Sequence, residues 1–247
     1  YGEELTLGYV DEIVRYWNKI SKAYEFDYQD ATLVGRFDGT WKKMYEAIAN
    51  TNLLLQNLKD SDKEKFENYD LIKGEALGLR AYIHLDLLRL FGPVLKEGLN
   101  QKSIPYREEF TNQLVTFMTA EEVLGKIEKD LLEAYTLLVN DPIKEYGRQA
   151  NKNLENKDLA FQFRGVRMNY YAVCALKARV QLWLGNKSEA LKYAQKVIDA
   201  KDPNGNAVFR LGTTTDCANG DLIFSSEHIF NLNVYNLSDS KISAANT

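Results

Sequence analysis

The sequence predicts an all-α protein, a right-handed solenoid of stacked helix pairs with irregular loops and short strands near its C-terminus. Three observations lead there. Apolar residues recur at three- and four-residue steps through most of residues 1–200. The stretch LIKGEALGLRAYIHLDLLRLFGPV, Leu71 to Val94, carries two apolar lines: Phe66, Tyr69, Ala76, Ile83, Leu87 and Leu90 on one side, and Leu77, Ala81, Leu85 and Leu88 on the other. A surface helix needs one apolar face, so a helix with two is covered on both sides, as the inner helices of a stacked array are. Strand-like alternation is confined to the region after Lys201.

Residues 1–24 read as one helix, with Leu7, Val10, Ile13, Val14, Trp17 and Ile20 in period. Residues 25–40, EFDYQDATLVGRFDGT, break that period, and Gly35 and Gly39 punctuate them as a loop. Trp41 to Leu58 is the next helix, buried along Trp41, Met44, Tyr45, Ile48 and Leu55, with Asn52 as a buried amide tying it to a neighbouring loop. The central helix begins near Asp62 and stops at Gly92-Pro93, where glycine accepts a left-handed cap and proline cannot continue. Within it Glu75 and Arg80 are candidates for buried charge pairs. His84 and Asp86, two residues apart, point to different faces and cannot share a metal.

Val94 to Thr116 is irregular. Thr119 caps a helix with Glu121 and Glu122 in its first turn, and Val123, Ile127, Leu131, Ala134 and Leu138 face inward. Ile143 to Gln162 is a charged connector with one turn of helix at most. Phe163 to Leu184, the Gly185-Asn186 turn and a helix capped by Ser188 make the clearest tetratricopeptide-like unit. Ala178, Ala190, Ala194 and Val197 fall near its small-residue positions, although the usual aromatic and glycine positions of its first helix are not met. Leu222–Phe224 and His228–Tyr235 alternate as short strands. Two parts follow, a helical 1–200 and an irregular 201–247.

Hydrophobic residues make up 45% of the chain and charged residues 27%, an ordinary globular balance and not that of a disordered chain. A net charge of -4 argues against a general nucleic-acid binder. Cys174, in a core helix, and Cys217, in a polar loop, form neither a disulfide framework nor a zinc site. No run is long and apolar enough to span a bilayer. There is no nucleophile elbow, zinc-protease motif, phosphate loop or dinucleotide fingerprint, so no enzyme activity, metal or cofactor is expected. Paired carboxylates of a hydrolase would meet only in three dimensions.

GEALGLRAYIHLDLLRLFGPV, behind WKKMYEAIANTNLLLQNL, resembles the signature helix pair of the SusD/RagB family of outer-membrane nutrient-binding lipoproteins. DLLEAYTLL and DLIFSSEHIFNL are similar to later family segments, in family order. The resemblance implies a tetratricopeptide-like domain over 1–200, with 201–247 opening a further C-terminal half. It also implies capture of an oligosaccharide at the cell surface and its transfer to a partner TonB-dependent, SusC-like transporter. No signal peptide is visible and the chain opens on Tyr1; the resemblance implies a secretion signal and a lipid-bearing cysteine upstream. The other reading of the helical array is a tetratricopeptide-type adaptor gripping a peptide.

Loops on a rigid scaffold concentrate binding groups. Tyr24, Tyr28, Asp30, Phe37 and Asp38 are therefore the candidate ligand-binding residues. Ring faces stack on pyranose C–H groups, and carboxylates accept hydroxyl protons. In the competing reading Phe37 tucks under the next helix and Asp38 or Thr40 caps it.

Overall fold

The computed structural model describes residues 22–94, 98–148 and 159–232. The fold is all-α and tetratricopeptide-like, and β-structure among the described residues amounts to isolated bridges, Lys102 with Thr119 and Lys201 with Ala207. The chain divides into two units, Tyr1–Ile48 and Ala49–Thr247.

In the first unit, the helix expected over residues 1–24 lies outside the described residues except for 22–24, which are helical. The loop expected over 25–40 is shorter than the glycines suggest, because helix α1 spans Ala31–Asn57 and continues into the second unit. Asp30 starts it. Its Oδ1 accepts from the backbone N–H groups of Thr32 (2.9 Å) and Leu33 (3.2 Å), donors that a helix N-terminus otherwise leaves unsatisfied. Gly35 and Gly39 thus sit inside the helix, and a Cβ added at either meets nothing within 4 Å. Gly35→Ala and Gly39→Ala are each expected to stabilise α1 by roughly 0.5–1 kcal/mol, read as a higher midpoint in far-ultraviolet melts. A lower midpoint would mean that these positions are not helical.

In the second unit the chain leaves α1 through a 3₁₀ turn, Asp60–Lys65. Asn68 takes a left-handed conformation (φ 62°), so helix α2 begins at Tyr69, not near Asp62, and runs to Phe91. Both apolar lines are buried along its length, at Tyr69, Ala76 and Leu87 on one and Leu77, Ala81, Leu85 and Leu88 on the other. The end members Phe66 and Leu90 stay exposed. α2 packs most extensively on α3, Ala120–Leu137. Two glycines one turn apart permit close approach. A Cβ at Gly74 would lie 2.7 Å from Leu138 Cγ, and one at Gly78 would lie 2.6 Å from Met168 Cγ. Gly92 ends α2 in an extended conformation instead of the left-handed cap expected of it. It is needed for space, since a Cβ there would lie 2.5 Å from the Leu88 carbonyl oxygen.

Thr119 opens α3 with a reciprocal capping box: its Oγ1 accepts from Glu122 N–H, and the Glu122 carboxylate accepts from Thr119 N–H. The connector contains the single-turn α4, Ile143–Tyr146. Helix α5 spans Tyr170–Trp183 and begins later than Phe163, because the Asn169 side chain caps it by accepting from Ala172 N–H (2.9 Å). Gly185, at φ +80°, turns the chain into α6, Lys187–Ile198. Ser188 lies within the first turn of α6 and does not cap it; the cap position is Asn186. α5 packs on α6, and α3 packs on α5.

Cys174 is buried in α5, and burial pushes its thiol up to about 11, so it is a protonated core residue at neutral pH. Cys217 is on a short helix, α7 (Thr214–Ala218), and not in a loop, because Thr213 and Asp216 form a second capping box. Neither Leu222–Phe224 nor residues 228–232 form a strand. Phe224 is left-handed (φ 52°), Ser225–Glu227 is a 3₁₀ turn, and the Asp221 carboxylate accepts from the N–H and hydroxyl of Ser225. Local side-chain bonding of this kind competes with the extended ladder. The rest of that expected strand, 233–235, lies outside the described residues.

Two buried polar clusters cross-link these helices. In the first, Arg80 of α2 grips Asp130 of α3 with two parallel bonds, Nε to Oδ2 (2.6 Å) and Nη2 to Oδ1 (2.7 Å). Its Nη1 donates to Asn52 Oδ1 of α1 (3.0 Å) and to the Glu108 carbonyl. Asn52 in turn donates to the Arg107 carbonyl (2.9 Å), so it is the buried tie expected from sequence. Tyr106 donates its hydroxyl to Asp130 and stacks on His84 (3.8 Å, 21°). Glu75 belongs to the second cluster. There Arg164, fully buried, donates to both oxygens of the buried Asp141 and to Glu75. The two candidate charges thus serve different pairs, whose partners lie 50 and 89 residues away in sequence.

His84 accepts from Arg107 N–H at Nε2 (3.1 Å) and donates from Nδ1 to the Arg80 carbonyl (2.9 Å), which fixes the neutral tautomer. Burial, with Arg80 close by, lowers its pKa to about 3 from 6.5. The unfolded chain therefore takes up a proton at this site, as pH falls below 6.5, that the folded chain refuses. This contribution to stability is complete above 6.5 and is lost progressively towards about 3. His84→Gln is expected to flatten the dependence of the urea midpoint on pH between roughly 4.5 and 6.5, where the slope from one such group is at most about 1.4 kcal/mol per pH unit. An unchanged slope would show that His84 is protonated in the folded state.

Candidate functional site

The expected binding residues all fall in the first unit, and the structure sorts them. Tyr28 and Phe37 come together: their ring centroids are 6.1 Å apart, although one precedes α1 and the other lies on it. Phe26, absent from the sequence-based set, joins them at 6.3 Å from Tyr28 in an edge-on arrangement. All three rings are solvent-exposed, at 72% for Phe26, 60% for Tyr28 and 42% for Phe37. Tyr24 is equally exposed, with no recorded ring contact to this group. Phe37 is therefore not tucked beneath a helix, and neither Asp38 nor Thr40 caps one. Asp38 lies mid-helix beside Phe37, and the Thr40 hydroxyl donates to the Arg36 carbonyl.

Asp30 is committed to capping α1, which removes its Oδ1 from any ligand role. Asp38 is exposed, and Asp27 is half-buried, its Oδ1 accepting from Gln29 N–H. Glu25 is paired with Lys22 at 2.7 Å, an exposed pair that raises the lysine pKa through its hydrogen bond. The same helix face continues the aromatic line, since Phe37, Trp41 and Tyr45 are spaced by four, and Trp41 and Tyr45 contact each other at 4.8 Å. Read with α1 beginning at Ala31, that spacing would have identified the face. The loop assignment concealed it.

The result is an open ledge of exposed aromatic rings, with Asp27 and Asp38 next to them in sequence. Isolated exposed apolar residues need no explanation, but a contiguous exposed aromatic group marks a contact surface. Its chemistry suits a ligand with a flat C–H face and a hydroxyl edge. Among the described residues no cluster of three or more histidine, cysteine, aspartate or glutamate side chains is placed to hold a metal.

A SusD-like family model, described as "Starch-binding associating with outer membrane", matches residues 8–153, more than half of the chain. None of the curated proteins matches the sequence. Solved structures do. A SusD superfamily protein from Bacteroides thetaiotaomicron VPI-5482 is similar at 22% identity and a TM-score of 0.58, covering 81% of this chain and 39% of that one. A SusD superfamily protein from Bacteroides fragilis is similar at 23% identity and a TM-score of 0.59, covering 80% and 41%. A SusD-like carbohydrate binding protein from Bacteroides vulgatus ATCC 8482 is similar at 19% identity and a TM-score of 0.51, covering 72% and 33%. The chain thus spans about two fifths of the length of the first two.

Proposed function

The chain belongs to the SusD-like family, and from that premise we propose that it is a non-catalytic glycan-binding protein of the outer-membrane surface. It holds an oligosaccharide on the ledge of Phe26, Tyr28 and Phe37, with Asp38 and Asp27 accepting sugar hydroxyls. The observation that carries this reading is the exposed contact between Tyr28 and Phe37. Exposed rings that touch one another keep apolar area in water, and a stacked sugar face would cover it. The family description, with its starch binding and outer-membrane association, supports the same class of ligand and the same location.

In this reading the protein is lipid-anchored and presents its cargo to a TonB-dependent transporter in the same membrane. Among the described residues no helix is long and apolar enough to cross a membrane. A glycan array tests the reading directly. Retention of oligosaccharides, with no shortened products after prolonged incubation, is the expected result. Retention of unstructured peptides alone would favour the adaptor reading, and release of shortened sugars would show a hydrolase. Co-purification of a SusC-like transporter from membranes tests the partner separately.

A further inference from the structure

The second unit contains a cleft of about 630 Å³ that the ledge does not use. It lies between the start of α2 and the segment joining α3 to α4, with Phe161 closing one side. Its volume is in the range of sites that bury small ligands, roughly 300–1,000 Å³. Four aromatic residues line the cleft; Tyr69 is buried, and the other three keep exposed surface. Phe66 is 45% exposed, and Tyr146 and Phe161 are half-buried and nearly parallel, with centroids 6.2 Å apart and planes 11° apart. Phe66 precedes α2, and its ring is left exposed at the end of the apolar line.

The charges around the cleft are largely spoken for. Lys63 pairs with Asp70 at 2.8 Å. Lys144 donates to the Val139 carbonyl and lies 3.6 Å from the Tyr170 ring centre. Asp141 is held by Arg164. No concentration of one sign remains to recognise a phosphate or a carboxylate. The Glu145 carboxylate is exposed and hydrogen-bonded to Tyr146, and the Asn140 amide is exposed at the rim. Aromatic faces with neutral and balanced polar groups between them fit an uncharged, hydroxyl-rich ring.

We propose that this cleft is a second saccharide-binding site, independent of the ledge, taking a neutral mono- or disaccharide unit against Tyr146, Phe161 and Phe66. The proposal rests on the glycan-binding reading given above. Calorimetry on the whole chain tests it, using maltoheptaose and any oligosaccharide retained on the array. The expected result is two binding events per chain. Phe161→Ala weakens one of them by about tenfold and leaves the event weakened by Tyr28→Ala unchanged. Phe66→Ala, at an exposed position, acts on the same event without the folding risk of Phe161→Ala, and a thermal melt of each variant reports folding. One event, sensitive to Tyr28→Ala and indifferent to Phe66→Ala and Phe161→Ala, would overturn the second site while leaving the glycan reading intact. No event with any sugar would overturn both.

Discussion

Asp141→Ala is expected to destabilise the second unit by about 3–5 kcal/mol, the range for removing one partner of a buried pair. Four donors converge on this carboxylate: Arg164 Nε (3.0 Å) and Nη2 (2.7 Å), and the backbone N–H groups of Ile143 (2.8 Å) and Tyr170 (2.9 Å). Neither Asp141 nor Arg164 has any exposed side-chain surface. The substitution leaves a buried guanidinium whose remaining partners among the described residues are Glu75 and the Ala160 carbonyl, and it orphans two backbone donors, one at α4 and one at the first residue of α5. Urea unfolding should show the loss as a lower midpoint with an unchanged slope. Thermal melting should drop by on the order of 10 °C for a chain of this size. A loss below about 1 kcal/mol would place the pair in water. Asp141→Asn keeps one acceptor oxygen, enough for one of the two backbone donors, since Ile143 bonds Oδ1 and Tyr170 bonds Oδ2, so a loss intermediate between wild type and Asp141→Ala is expected.

The parts of the fold legible in sequence are those governed by local pattern. The two apolar lines of α2, the Thr119 cap and the Asn52 tie all declare themselves within a few residues, and the structure has each of them. The glycines misled because two opposite uses look alike in a single sequence. Gly35 and Gly39 sit in open space inside a helix, whereas Gly74 and Gly78 are required by Leu138 and Met168, neighbours that no local window contains. Arg164 shows the same limit. It begins what reads as a continuous helix from Phe163, but Asp141 and Glu75, distant in sequence, draw it into a buried pair and Asn169 restarts the helix. At the candidate site, the acidic and aromatic composition of residues 25–40 was legible. That Asp30 caps a helix there, and so aligns Phe37 with Trp41 and Tyr45, was not.

The second large effect is on binding. Tyr28 and Phe37 are exposed, so their removal takes little from the core, and the stability change should stay within roughly 0.5 kcal/mol. If a sugar face covers them, each ring contributes on the order of 1 kcal/mol to the complex, so each truncation should weaken binding by about five- to tenfold. The double variant should then lose about 30- to 100-fold, unless the two rings act as one surface, in which case either truncation alone gives most of the loss. Asp38→Asn should change binding less than either ring, because the amide oxygen still accepts a hydroxyl proton.

The ledge reading depends on the exposed rings before and on α1 being a ligand surface, with the core elsewhere. Titration of Tyr28→Ala/Phe37→Ala with an oligosaccharide that binds the wild-type chain, alongside its thermal melt, decides between the two roles. The ledge predicts that binding at that site weakens by about 30- to 100-fold while the melting temperature holds. Intact binding together with a melting temperature several degrees lower would show that these rings are packing residues and that the sugar, if held at all, is held elsewhere.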